Sequence, residues 1–213
     1  MAIVRLWRPG DPAGALRSLV RMGGVLAIPS ESSYGLACDP RSAEGVESIY
    51  RLKSRDRGKP LPVVAADVGQ LAVLGVDPGS PAAAAAATIW PAAFSAVLPF
   101  DPALAWPAAA GGATLAIRVP AHDGLRDVLR IVGSPLTATS ANAAGDPPIL
   151  DPTDLARWLR DSPVPVTLVD GGVLPGGEPS TLALPEDGGW RVIRPGRIPR
   201  DELPPIAIPD TSH

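Results

Sequence analysis

The sequence predicts a single α/β domain. Short apolar runs alternate with segments whose apolar residues recur at helical spacing. No long linker and no internal repeat interrupts that alternation. Apolar residues make up 46% and charged residues 19% of the chain, which excludes a disordered polymer and allows a real core. The domain is placed at residues 1–204, and residues 205–213 read as a proline-rich, loosely held tail.

The elements follow in order. Asp11-Pro12 reads as a helix start, an N-cap followed by proline. Ala15, Leu16, Leu19 and Val20 give the stripe, and Gly23-Gly24 ends it. Val25 to Ile28 is a buried strand that stops at Pro29, and residues 30–35 are the loop after it. Val46, Ile49, Tyr50 and Lys53 predict a helix over 44–53 that runs into a turn at Gly58-Lys59-Pro60. Residues 61–65 form a strand, and 67–74 and 81–90 helices. Residues 94–100 and 114–119 are strands, and 123–132 is an amphipathic helix closed by Gly133. A strand over 136–139 delivers the polar Thr139-Ser-Ala-Asn142 loop. A helix near 153–160 and strands near 166–170, 180–184 and 190–194 complete the chain. Residues 143–152, rich in Pro and Gly, are a mobile-loop candidate.

Several function classes are excluded by composition. A net charge of −3 rules out a generic nucleic-acid binder and confines any anion site to a local patch. The one cysteine, Cys38, forbids an internal disulfide and fits a reducing, cytoplasmic setting. Two histidines, His122 and His213, make a His/Cys zinc cluster untenable, and no metal-ligating set is predicted. His122, just ahead of a helix, is read as a capping or surface residue. The N-terminus carries charges and prolines where a signal peptide needs an apolar core. The alanine run at 82–87 is too short to span a bilayer, so no membrane role is expected.

The chemistry-bearing residues are polar segments placed at strand ends. Both lysines fall within residues 51–59, where Arg51, Lys53, Arg55, Arg57 and Lys59 form a comb of cations. Such a comb beside a Gly-Lys-Pro turn suits a polyphosphate. A solvated, dipole-favoured helix end explains the same residues equally well. Ser30–Tyr34, Arg118, Ser140 with Asn142, Ser180-Thr181 and Arg194-Pro-Gly196 fall at other strand ends. Ligands of open α/β sheets bind in crevices at such ends. Phosphate-loop, dinucleotide, nucleophile-elbow and zinc-protease signatures are all absent.

In order and spacing these segments resemble the YrdC-like family, the threonylcarbamoyl-AMP synthases of tRNA modification. The resemblance runs from about residue 12 to residue 200. It rests on Pro29-Ser-Glu-Ser-Ser-Tyr-Gly-Leu36, Lys53-Ser-Arg55, Lys59-Pro-Leu61, Thr114-Leu-Ala-Ile-Arg-Val-Pro120, Ser140-Ala-Asn142, Ser180-Thr181 and Arg194-Pro-Gly196. A further family segment appears degraded as Trp90-Pro-Ala-Ala-Phe-Ser95.

The resemblance implies a twisted, open, mixed sheet with flanking helices around a concave cationic cavity. It implies synthesis of threonylcarbamoyl-AMP from L-threonine, bicarbonate and ATP, with pyrophosphate released. It implies Lys53, Arg55, Ser140 and Asn142 as a catalytic tetrad, and Arg55, Lys59, Thr114, Ser140 and Arg194 as ATP contacts. Ser32, Tyr34, Arg118 and Ser180 match threonine-binding positions, with Arg118 taking the carboxylate. Mg²⁺ would arrive with ATP. tRNA or double-stranded RNA and tRNA-modification transfer proteins are the implied partners.

The chain departs from the family at the amino-acid end. Serines replace both threonines of the first motif, Pro62-Val-Val64 stands where a histidine is common, and Pro147-Pro148 replaces a loop serine. Three readings therefore stand at this level: the synthase, a carbamoyl-adenylate or carbamoyl-transfer enzyme with another acceptor, and a non-catalytic RNA-binding paralogue.

Overall fold

A computed structural model describes residues 4–8, 10–143 and 145–207. The strands are β1 (Val4–Trp7), β2 (Val25–Pro29), β3 (Tyr34–Ala37), β4 (Val63–Val64), β5 (Phe94–Pro99), β6 (Thr114–Arg118), β7 (Leu136–Thr137), β8 (Thr139–Ser140), β9 (Val166–Val169), β10 (Thr181–Glu186) and β11 (Gly189–Arg194). The helices are α1 (Ala13–Arg21), α2 (Ala43–Lys53), α3 (Pro81–Ala87), α4 (Asp123–Val132) and α5 (Pro152–Trp158).

The expected open mixed sheet divides into two. One has the order β1-β9-β2-β3-β8 and the other β11-β10-β5-β6-β4-β7. The division is local, because one short segment serves both sheets. Leu136 and Thr137 pair with Val64 and Val63, while Thr139 and Ser140 pair with Leu36 and Gly35. Between them the Thr137 N–H donates to the Cys38 carbonyl and the Ala138 N–H to the Pro62 carbonyl, each at 2.8 Å. The backbone polar groups of a buried strand must all be paired, and this segment does so by turning from one neighbour to the other. It emerges at Ser140.

Burial explains the layering. Along β2, Val25 and Ala27 enter one apolar cluster and Leu26 and Ile28 the other. A two-residue period with both faces buried marks a central strand covered on both sides. The smaller cluster lies under α1 and α4. Leu125, Val128, Leu129 and Val132 of α4 are buried, at helical spacing, against Leu16 and Val20 of α1. Each such side chain contributes roughly 1.5–3 kcal/mol by leaving water. Helix α4 is closed at both ends: the His122 Nδ1 accepts the Leu125 N–H at 3.0 Å, and Gly133 ends it at φ +76°. The capping role expected of His122 is thus observed.

Some expectations are corrected. Helix α1 begins at Ala13 with Pro12 in the cap position, and Asp11 accepts the Arg8 N–H at 2.7 Å in a preceding turn. Residues 68–74 form a tighter 3₁₀ segment rather than an α-helix. The loop expected over 30–35 is shorter, since β3 begins at Tyr34. Glycine in a strand suggests a break, yet a Cβ on Gly35 would lie 3.2 Å from the Thr139 carbonyl oxygen, so glycine there permits close strand approach. In the 143–152 stretch, the Ile149 carbonyl accepts the Tyr34 N–H and the Leu150 carbonyl the Leu174 N–H, both at 3.0 Å. Of the expected tail, residues 208–213, including His213, lie outside the described residues.

Candidate active site

A cavity of about 460 Å³ opens where the ends of β2, β6, β8 and β11 meet the loops beside them. Its charged lining residues are Arg55, Arg118 and Arg194, and its hydroxyls include Ser32, Ser95, Ser140 and Ser180. Its volume falls in the range of small-molecule sites.

Arg55 is aimed by the end of α2. Ser54 takes a left-handed conformation at φ 49°, which turns the chain, and the Arg55 N–H donates to the Tyr50 carbonyl at 3.0 Å. The guanidinium Nη2 donates to the Pro60 carbonyl at 3.1 Å, and its buried Nε has no partner among the described residues. A guanidinium holds five N–H donors, so most remain for an anion.

Lys53 does something different from what its place in the tetrad suggests. It is 7% exposed, and it lies outside the cavity wall. From behind, its Nζ donates to the carbonyls of Ser140 and Asn142 at 2.5 and 2.8 Å and to Asn142 Oδ1 at 3.2 Å. Burial, and secondarily the Arg55 charge, bring its pKa down to about 8. In front, Ser140 Oγ donates to Asn142 Oδ1 at 2.6 Å, and Asn142 Nδ2 donates to the Asp146 carbonyl at 2.6 Å. The four tetrad side chains are therefore adjacent, with Lys53 as the strut and Arg55, Ser140 and Asn142 on the cavity side.

The opposite wall carries the other two arginines. Arg118 Nη1 donates to Glu31 Oε2 at 2.6 Å, with side-chain exposures of 13% and 8%. Glu31 Oε1 also accepts the Ala121 N–H at 2.8 Å, which ties the 30–33 loop to the end of β6. Arg194 Nη2 donates to the Ser180 carbonyl at 2.8 Å and to Ser180 Oγ at 3.1 Å. Desolvation, then the neighbouring Arg118 cation, hold the Arg194 pKa below the ordinary guanidinium value. Two like charges kept close are a standing invitation to an anion. Gly196 is required here, since a Cβ would lie 2.3 Å from the Pro179 carbonyl oxygen.

Two expected contacts lie off the cavity lining, and a third lines it with its hydroxyl engaged elsewhere. Thr114 lies at the other end of β6, opposite Pro99 and roughly 13 Å along the strand from Arg118. Lys59 is exposed, and its carbonyl accepts the Tyr50 hydroxyl at 2.9 Å. Tyr34 borders the cavity, but its hydroxyl donates to the Gly172 carbonyl at 2.8 Å and accepts the Gly171 N–H at 3.0 Å, so it fastens that turn. Ser32, Arg118 and Ser180 do line the cavity, as do Arg55, Ser140 and Arg194.

A family model for Sua5, YciO and YrdC proteins, described as telomere recombination, matches residues 18–196. The chain belongs to the Sua5/YciO/YrdC family. A threonylcarbamoyl-AMP synthase of Bacillus subtilis is 33% identical over 194 residues, covering 90% of this chain and 55% of that protein. One from Thiobacillus denitrificans is 34% identical over 175 residues, covering 82% and 91%. The crystal structure of P. abyssi Sua5 complexed with L-threonine superposes with a TM-score of 0.81 at 27% identity, over 95% of this chain and 60% of that one. The chain thus spans little more than half of the longer family members and nearly all of the shorter.

Within this family frame, two residues gain a place that the motifs do not give them. Ser95 stands in a segment whose family pattern is degraded, yet it lines the cavity. Glu31 stands in the first motif and holds Arg118 from outside the lining. The departures are visible as well: Pro62, Val64 and Pro148 form apolar wall. Among the described residues no group of three or more His, Cys, Asp or Glu could hold a metal, and no helix is long and apolar enough to cross a membrane. Cys38 is fully buried, and desolvation pushes its thiol up to about 12, so it is a core residue.

Proposed function

We propose that this chain joins L-threonine, bicarbonate and ATP into threonylcarbamoyl-AMP and releases pyrophosphate. The observation that carries the reading is the convergence of Arg55, Arg118 and Arg194 on one cavity with the Ser140–Asn142 loop and with no acidic side chain among the described residues of its lining. Relatives named for this activity, and a family structure holding L-threonine, support it.

The chemistry asks for what this wall supplies. The threonine nitrogen bonds to the bicarbonate carbon, and water is lost as the carbamate forms. A carbamate oxygen then forms a bond to the α-phosphorus while the bond to pyrophosphate breaks. Charge builds on phosphoryl and leaving oxygens, so positioning and cationic hydrogen bonds matter more than a strong base. We assign the phosphates to Arg55, Ser140 and Arg194, with Asn142 and Lys53 fixing the loop. We assign the threonine carboxylate to Arg118, whose pairing with Glu31 leaves guanidinium donors over. The wall offers no carboxylate cage for Mg²⁺, so the ion is proposed to travel on the nucleotide phosphates. The product would be consumed by transfer to tRNA, with transfer proteins as partners.

The test is incorporation of labelled bicarbonate. With ATP and threonine, label is expected in a species containing the amino acid, the added carbon and AMP. Absence of that species, with the protein folded, contradicts the proposal.

A further inference from the structure

Ser95 of β5 is 4% exposed, lines the cavity, and lies with its Oγ 3.0 Å from Ser180 Oγ. Strand register brings the two together, since Phe94 pairs with Thr181. The direction of their shared hydrogen bond follows from satisfaction of the partners. Ser180 Oγ already accepts from Arg194 Nη2 at 3.1 Å. Among the described residues, Ser180 is the one hydrogen-bond partner of the Ser95 hydroxyl. If Ser180 donated, the Ser95 proton would be left without a protein acceptor in a nearly closed position, at a cost of about 1–3 kcal/mol. If Ser95 donates, its proton is used, and Ser180 Oγ accepts from two donors. The Ser180 proton is then free to point into the cavity.

We infer that Ser95 is a positioning residue that fixes the Ser180 hydroxyl as a donor to an anionic oxygen of the bound amino-acid substrate. The inference rests on the synthase reading. Ser95 acts through Ser180, and the effect is on binding in both ground and transition state. A uniform loss of that kind raises KM and leaves kcat nearly alone.

The experiment is threonine-dependent pyrophosphate release by the full chain, in a double-mutant cycle of Ser95→Ala and Ser180→Ala. Ser95→Ala is expected to raise KM for threonine about fivefold with kcat within twofold and an unchanged melting temperature. Ser95→Thr, which keeps the hydroxyl, is expected to restore KM. In the Ser180→Ala background, Ser95→Ala should add nothing. An additive loss in that background, an unchanged KM in Ser95→Ala, or failure of the hydroxyl-bearing variant to restore it would overturn the assignment alone. Should Ser95→Ala fold poorly, the Ser95→Thr and Ser95→Cys pair decides by the same KM comparison. No threonine-dependent release by the unaltered protein would overturn the underlying reading and this assignment with it.

Discussion

At the scale of single residues, the three cavity arginines differ in what already holds them. Arg118 is paired with a carboxylate, Arg194 is bonded to Ser180, and Arg55 touches a carbonyl. Arg55 is thus held by one neutral contact and pairs with no carboxylate among the described residues, which leaves its charge for a nucleotide. Replacing a charge-assisted partner costs about 1.5–3 kcal/mol. Arg55→Ala is expected to weaken ATP binding by roughly tenfold or more, with the folded state intact, measured by calorimetry. Lys53 gives a pH test. Its pKa falls from 10.5 to about 8 on folding. The folded state thus binds this proton more weakly than the unfolded one. Its penalty to stability is fully present below about pH 8 and fades as pH rises toward 10.5. Loss of the proton also removes a donor from the carbonyls that set the Ser140–Asn142 loop. Nucleotide affinity is expected to fall as pH rises through about 8, while this group's effect on stability runs the other way. Lys53→Arg, which stays charged, should flatten the affinity profile measured over the same range.

At the scale of elements, the site depends on where strands stop. Asp39, just after β3, accepts from Arg41 Nε at 2.8 Å and Nη2 at 2.7 Å, and the same Nη2 donates to Ser134 Oγ at 3.0 Å. This clamp joins the end of β3 to the turn before β7. Asp39→Ala is expected to cost about 2 kcal/mol in urea unfolding, since the Asp39 side chain is mostly buried while Arg41 is partly solvated. Helices α2 and α4 were legible because Val46, Ile49 and Tyr50, and Leu125, Val128 and Leu129, repeat at 3.6 residues. Strand β3 was not, because Tyr34-Gly-Leu-Ala is too short to show a period and contains the glycine that close packing demands. The same limit applied to the site. Ser32, Arg55, Arg118, Ser140, Asn142, Ser180 and Arg194 share the cavity as the sequence suggests, but Thr114 and Lys59 lie off its lining, and the contacts of Lys53 and Tyr34 were not legible. Both types bond equally well to ligand or backbone, and only the fold shows which way Nζ or the hydroxyl points.

At the scale of the whole molecule, a chain of net charge −3 gathers three guanidiniums around one cavity. Elsewhere in the comb at 51–59, Arg57 pairs with Glu47, while Arg51 and Lys59 are exposed and lie outside the cavity lining. That asymmetry favours a small polyanionic substrate over a long phosphate backbone, which a broad basic surface would suit. The cavity wall is more apolar at Pro62 and Val64 than the resemblance implies. One methyl group separates threonine from serine, worth roughly five- to fiftyfold in rate for an apolar wall. The most direct test of the account is pyrophosphate release from ATP and bicarbonate, measured with each of the twenty amino acids in turn. The account predicts that threonine gives the highest rate and serine follows about five- to fiftyfold lower. A higher rate with any other amino acid, or release that ignores the amino acid supplied, would contradict it.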